Sequence, residues 1–313
     1  MRALVVSNML PDAAHPERGR FVRDQVAALR ALEGLEIELH EFPPGGRALL
    51  SAAPALRRRF AAAPRFDVVH AHFGLTAWPA LAVRARVHAL TVHGTDLRHP
   101  RTRLATRAVL PFIDLPAAVS APLARELPSR SARARARVLP CGVDLARFRA
   151  LPRAQVRAEL GLDPEGPYLL FAADPARALK RHDRAVALAR ETGAQLLALG
   201  GVDPERVPLW INAANAVLVP SEREGFGLAV LEALACDVPV LATPVGVHPE
   251  VLAGVEGTLC APFELVRWRG AAEAHVHQPD PRVAGRASAA RYSATAMAER
   301  VADAWRESLH RSG

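Results

Sequence analysis

Two glutamates with seven residues between them, Glu224 and Glu232, stand in the segment VPSEREGFGLAVLEALACDVPVLATPVG. An apolar run ends at Pro220, the loop SEREGFG follows, and a helix is expected over Gly227–Ala235. Glu224 then lies just before the helix and Glu232 about one and a half turns inside it. Gly225 and Gly227 leave backbone N–H groups open at the amino end of that helix, where unpaired donors and partial positive charge suit a phosphate. Two carboxylates beside a phosphate seat have a use if they accept hydrogen bonds from hydroxyls, one of a sugar and one of a ribose. A solvated glutamate ahead of an ordinary amphipathic helix accounts for the same pair.

A second segment, FAADPARALKRHDRAVALA, repeats the pattern of strand, loop and helix. Arg177 and Lys180 sit at its loop–helix junction. Two cations there would neutralise a diphosphate, with arginine offering a fork and lysine a point charge. Ordinary surface cations explain them equally. In the first half, MLPDAAHPERGRFV places Gly19 just ahead of a helix, HAHFG carries His70 and His72, and VHGTDLR carries His93, Gly94 and Asp96. His70 and His72 alternate within one strand; they are expected to face opposite ways and to be buried at its end. No i, i+4 histidine pair or suitably spaced carboxylate accompanies them, so no metal site is expected.

Loops of this kind need a frame that brings strand ends together. Short apolar runs are strand candidates at Ala3–Asn8, Leu35–Phe42, Asp67–Phe73, His88–His93, Leu115–Ser120 and Arg137–Cys141, with helical stretches such as Phe21–Leu32 and Leu75–Arg86 between them. A segment with three prolines and no strand run, from Leu145 to Pro167, reads as an interdomain connection. Alternation restarts with strands at Tyr168–Ala173, Gln195–Leu199, Ala216–Pro220, Pro239–Thr243 and Gly257–Cys260, and helices at Arg181–Glu191, Gly227–Ala235 and Thr295–Leu309. The pattern predicts an α/β fold: two doubly wound, Rossmann-like parallel-sheet domains, residues 1–150 and 151–295, facing a cleft, with a closing helix over 296–313. In such sheets ligands sit at the carboxyl ends of the strands.

The 313 residues are half hydrophobic and 23% charged, which excludes wholesale disorder. No window of ~18 apolar residues lacks a charge, so no membrane span is expected. The start, MRALVVSNML, reads as a first strand and not as a secretory signal. Cys141, Cys236 and Cys260 lack CxxC spacing, and a reducing cytoplasm is expected. Of the 40 basic residues only Lys180 is lysine, a bias that makes single arginines uninformative. Residues 1–150 carry 23 arginines against 12 acidic residues, a balance of +11, whereas residues 151–313 stand at −3. Arg57-Arg58-Arg59 and Arg130, Arg133, Arg135 and Arg137 are either solvated faces or contacts for an anionic membrane surface or substrate. Aromatics are scarce and no stacking motif interleaves the arginines, so nucleic acid is not expected as a partner.

Taken together these residues resemble the retaining glycosyltransferases of the GT-B fold, family 4 (glycosyl transferases group 1). The resemblance runs from Met1 to roughly Leu309. It rests on the E-x7-E pattern from Glu224 to Glu232, with RGRFVRDQVAAL, DVVHAHFG, TVHGTDL, VLPCGVDLARF and DPARALKRHDRAVALA in the family's order. It implies that the second domain binds a nucleotide-activated sugar, UDP- or GDP-linked, and the first a carbohydrate or lipid-linked acceptor. Glu232 would then accept hydrogen bonds from the ribose and Glu224 from the donor sugar, near the N–H groups of Gly225 and Phe226 and the glycine of Gly227. Arg177 and Lys180 would stabilise the diphosphate, Gly19 would admit its close approach, and His93 would be the active-site histidine. Retention without an established covalent nucleophile, no metal and no further cofactor are also implied.

The chain is short for that family. LGGVDPERVPLWINAANAVLVPS leaves little room for an extra strand–helix unit, Cys141 stands where asparagine is common, and EGFG differs from the EGSP of some relatives. The expected function is transfer of a hexose, with retention, to a polysaccharide, glycolipid or lipid-linked acceptor of the cell envelope. The expected location is cytoplasmic, peripheral at the inner face of the cell membrane. A nucleotide-sugar epimerase of related fold and a degenerate nucleotide-sugar-binding subunit are the competing readings. An epimerase would convert the donor with no acceptor; the subunit would bind it without turnover.

Overall fold

A computed structural model describes residues 1–13 and 15–311. The chain divides into two compact units, Met1–Gly142 with Ala294–Gly313, and Val143–Ser293. The break comes earlier than the expected boundary at residue 150, because residues 143–151 are tied into the second unit. Val143 N–H donates to Tyr292 O (2.8 Å), and the Arg286 guanidinium donates to Phe148 O (3.0 Å) and Leu145 O (2.8 Å). Leu151 N–H donates to the Asn212 side chain (2.9 Å). The segment read as a connection also holds a helix, Arg153–Leu160.

In the first unit β1 (Arg2–Ser7), β2 (Glu36–Glu41), β3 (Phe66–His72), β4 (Ala85–Val92), β5 (Leu115–Ala118) and β6 (Arg137–Val138) form one sheet in the order β2-β1-β3-β4-β5-β6. In the second, β7 (Tyr168–Phe171), β8 (Gln195–Ala198), β9 (Ala216–Val219), β10 (Val240–Ala242) and β11 (Leu259–Cys260) form another in the order β11-β10-β9-β7-β8. Every pairing is parallel. Runs such as LVV in β1 and YLLF in β7 are buried on both faces, which is why they read as continuous apolar stretches and not as alternation. Each sheet reverses its direction of winding once, between β1 and β3 and between β7 and β9. At such a point the connections leave on opposite faces and open a crevice at the carboxyl ends of the two strands.

The helical stretch expected over Leu75–Arg86 is shorter. A helix covers Gly74–Ala80, turns occupy the next residues, and β4 already begins at Ala85. The strand's own alternation, with Ala85, Val87 and Ala89 buried, claims the residues that the helical pattern borrowed. The closing helix, Ala294–Arg311, packs into the first unit. Its Met297, Ala298, Val301, Ala302 and Trp305 share a core with Val22, Val26 and Leu29 of the helix Arg20–Arg30 and with sheet residues Ala3, Val5, Val87 and Leu115. The second unit has its own core of Leu169, Phe171, Leu188, Leu218, Leu241 and Trp268.

Candidate functional site

The two charged loops of the second unit leave adjacent strands, β7 and β9, at its switch point. After β7 an irregular stretch closes in a single tight turn, Ala178–Lys180, and Arg181 takes a left-handed conformation (φ 59°) before the helix His182–Thr192 starts. After β9 the loop Pro220–Gly227 runs into the helix Leu228–Ala235. Glu222 N–H donates to Leu179 O (2.9 Å), and the Arg181 guanidinium reaches Glu222 (2.7 Å) and Asp183 (2.6 Å), so the two loops are laced together.

Within that lacing Lys180 Nζ donates to Glu224 Oε1 at 2.6 Å, and Ser221 Oγ donates to the same oxygen at 2.7 Å. The two charged side chains are 16% and 11% exposed, so their pairing is largely out of water. Burial pushes the Glu224 carboxyl up, but the Lys180 charge and hydrogen bond, the Ser221 bond and nearby His248 outweigh it and hold it below the ordinary range. Lys180, expected as a cation for a diphosphate, thus already has a carboxylate partner. One of its three N–H groups is used and two remain. Glu224 Oε2 makes no hydrogen bond among the described residues.

Gly227 has φ +114°, and a Cβ there would lie 2.4 Å from Nε2 of His248. Only glycine fits both the conformation and the contact. Phe226 is buried against Tyr292 (ring centroids 5.8 Å apart), and its carbonyl accepts Val247 N–H (2.8 Å). Gly225 lies between Glu224 and this anchor, half-buried. Glu232 is half-buried inside the helix Leu228–Ala235. Arg177 is exposed, and its guanidinium has no partner among the described residues.

Three supporting residues escaped sequence reasoning. Thr243 Oγ1 donates to Ser221 O (2.5 Å), and Thr243 O accepts the Nδ1–H of buried His248 (2.8 Å). His248 Nε2 is buried and has no hydrogen-bond partner among the described residues, and it faces Gly227. The signal was present in TPVGVHPE, directly after the expected strand Pro239–Thr243.

In the first unit Gly19 caps the helix Arg20–Arg30 with φ 70°, and a Cβ there would lie 2.4 Å from Met9 O. His93 follows β4. The Asp96 carboxylate accepts the N–H groups of His93 (3.1 Å) and Gly94 (2.8 Å), and also that of Gly74 (3.3 Å) beyond β3. Burial raises Asp96 to about 6 despite these bonds. The His93 ring lies between Phe21 (4.8 Å) and Phe73 (4.6 Å), and burial with neighbouring His70 lowers it to about 3.

His70 and His72 are both fully buried, as expected, but they face the same way and stack (centroids 5.0 Å apart, planes at 12°). Residues two apart in a strand share a face, so the expectation of opposite faces is overturned. Neither histidine joins a metal cluster: no group of three or more His, Cys, Asp or Glu suited to a metal occurs among the described residues. The arginine clusters are exposed, yet several have partners: Arg133 donates to Leu127 O (2.6 Å), Arg135 to Asp114 O (3.1 Å), and Arg137 pairs with Glu307.

Residues 5–147 match the family described as Glycosyltransferase Family 4, and residues 179–275 match that described as Glycosyl transferases group 1. The D-inositol 3-phosphate glycosyltransferase of Frankia alni is 31% identical over 74% of this chain and 72% of its own length. The protein of the same name from Actinosynnema mirum is 31% identical over 85% and 76%. Among solved structures, sucrose-phosphate synthase from Thermosynechococcus elongatus superposes over 100% of both chains with TM-score 0.76 at 19% identity. Anabaena HepE, solved in complex with UDP and glucose, does so over 97% and 99% with TM-score 0.71 at 16% identity. At these identities the likeness is one of fold, the GT-B architecture.

Proposed function

Because this chain belongs to glycosyltransferase family 4, the group 1 glycosyl transferases, we propose that it moves a hexose from a UDP- or GDP-linked donor, with retention of anomeric configuration, to a carbohydrate or lipid-linked acceptor. The observation that carries this reading is the Lys180–Glu224 pair at the second unit's switch point. Both Lys180 and Ser221 engage Oε1 of Glu224, so the carboxylate stays ionised while Oε2 is left to accept hydroxyls of the donor sugar. The two remaining N–H groups of Lys180, with exposed Arg177, stabilise the diphosphate as negative charge grows on it during bond cleavage. Gly225 and Phe226 offer main-chain N–H groups beside it, Gly227 keeps the helix start clear, and Glu232 accepts from the ribose. In the first unit, the family resemblance gives Gly19 the role of admitting a diphosphate close to its backbone and His93 that of the active-site histidine.

Glu224, already engaged by a lysine, serves as an acceptor and not as a covalent nucleophile, so the paired-carboxylate scheme of glycosidases is not invoked. Neither a metal nor a cofactor is part of the reading, and activity should survive EDTA. Polysaccharide, glycolipid and lipid-linked acceptors of the cell envelope are the acceptor classes. The inositol 3-phosphate named in the relatives adds a cyclitol phosphate to that set. No helix among the described residues is long and apolar enough to cross a membrane. The basic first half supports peripheral contact with an anionic membrane at its inner, cytoplasmic face, which sedimentation with anionic vesicles at low and high salt tests.

Calorimetry with UDP and GDP, followed by a donor panel with membrane extract as acceptor read by mass spectrometry, tests the whole reading. Binding of either nucleotide with transfer of a hexose supports it. Binding without transfer to any acceptor favours the degenerate subunit, and interconversion of donor sugars with no acceptor favours the epimerase.

A further inference from the structure

Beside His93 two buried histidines, His70 and His72, stack on one another. His72 Nδ1 stands 2.9 Å from His93 Nε2, so one of these nitrogens donates to the other. The other nitrogen of His72, Nε2, is buried and has no partner among the described residues. Were the His72 proton on Nε2, an N–H would be stranded away from any acceptor, which folded proteins tolerate less readily than a stranded lone pair. The proton therefore belongs on Nδ1.

His70 cannot relieve that nitrogen. Trp305 of the closing helix donates its indole N–H to His70 Nδ1 (3.1 Å), which leaves the His70 proton on Nε2, where it is given to Thr91 Oγ1 (2.8 Å). Both His70 nitrogens are thus used, and its ring offers His72 a flat stacking face. Burial keeps all three imidazoles neutral, with His70 and His93 lowered to about 3 and His72 well below its ordinary value. The nearest buried carboxylate, Asp96, is bonded to main-chain N–H groups and not to a histidine ring.

We propose that His72 is a positioning residue that donates Nδ1–H to Nε2 of His93, so that His93 carries its own proton on Nδ1 and presents a neutral N–H donor to the ligand. Nδ1 of His93 makes no hydrogen bond among the described residues, and Phe21 and Phe73 hold the plane of its ring. A donor with a fixed proton orients a sugar hydroxyl or phosphate oxygen; it does not abstract a proton. The proposal rests on the reading that His93 serves the transfer.

Long-range 1H–15N correlation spectra of the 15N-labelled full chain, with the His93 signals assigned by His93→Gln, read the tautomer directly. A protonated Nδ1 and a bare Nε2 on His93 are expected, and the reverse pattern overturns the proposal. His72→Asn keeps an N–H donor near the Nδ1 position, whereas His72→Phe keeps a flat ring and removes the donor. The asparagine variant should retain the His93 pattern and most of kcat. The phenylalanine variant should mix the tautomers and lower kcat about tenfold with little change in donor KM, the size of one lost orienting hydrogen bond. Identical His93 spectra in the two variants would count against His72 as the donor. The expected spectra with kcat unchanged in His72→Phe would instead refute the catalytic assignment of His93 while leaving the hydrogen bond standing.

Discussion

Replacing Lys180 by methionine keeps most of the side-chain volume and removes the charge that faces Glu224. Breaking a fully buried ion pair from one side costs about 3–5 kcal/mol. Here both side chains keep some contact with water, at 16% and 11% exposure, and the Ser221 bond survives. The expected loss at pH 7 is therefore about 2 kcal/mol, or roughly 4–8 °C in Tm for a unit of this size. Its pH dependence follows from the sign of the Glu224 shift. In the parent protein the carboxyl is held low, so it contributes stability above the ordinary glutamate range and loses it as pH falls through the folded value. In Lys180→Met the burial contribution dominates, the carboxyl rises, and its contribution is instead lost as pH increases. The gap between the two proteins should therefore be about 2 kcal/mol at pH 7 and shrink to a few tenths near pH 4. Urea unfolding at the two pH values reads it. Adding Glu224→Gln to Lys180→Met should recover about 1 kcal/mol or more, because no carboxylate is left unpaired. An equal gap at both pH values, or no recovery in the double variant, would refute the reasoning.

Three further outcomes follow from the geometry. Gly227→Ala combines φ +114° with a Cβ 2.4 Å from His248 Nε2, and should cost about 2 kcal/mol or more in thermal unfolding; a loss below ~0.5 kcal/mol would mean that His248 is not held against the helix start. Trp305→Ala removes a fully buried side chain that also bonds His70, and should cost about 3–5 kcal/mol by urea titration followed by circular dichroism. Asp96 is raised to about 6, so its favourable contribution is complete below the unfolded value of 3.8 and is lost as pH rises through about 6. Asp96→Asn lacks that loss, and its stability relative to the parent should improve by about 2–3 kcal/mol between pH 4 and pH 7; an unchanged difference would place the carboxylate in a better solvated setting.

The E-x7-E spacing and the glycines around it were legible from residue types alone, because helix starts and strand ends are local events. The partner of Lys180 was not. Glu224 lies 44 positions away, and only the adjacency of β7 and β9 brings the two loops together. Sheet order leaves no mark in a run of apolar residues. Serine, threonine and histidine in support of the site passed unnoticed for another reason: Ser221 and His248 bond to Glu224 and Thr243 within their own loops, and Thr243 reaches Ser221 O across the β9–β10 pairing, contacts that residue type alone does not announce. The arginine bias hid a different class. Arg153 and Arg157 are 3% and 1% exposed, and their guanidinium groups gather the main-chain carbonyls of Asn212, Ala213 and Ala214. Composition marked such arginines as uninformative, whereas burial shows them fastening the helix Arg153–Leu160 to the segment before β9.

The closing helix bears on how the chain is made. Met297, Val301 and Trp305 complete a core whose other walls, Ala3, Val5, Val22 and Leu29, leave the ribosome first. At about 5–20 residues per second, the 151 residues of Val143–Ser293 take roughly 8–30 s to synthesise, and for that time the first unit's apolar face waits uncovered. The second unit, contiguous in sequence, can finish folding before the unit that was begun ahead of it. Vectorial synthesis thus permits the two halves to mature in the reverse of their order in the chain, with the apolar face of the nascent first half the surface open to a chaperone meanwhile.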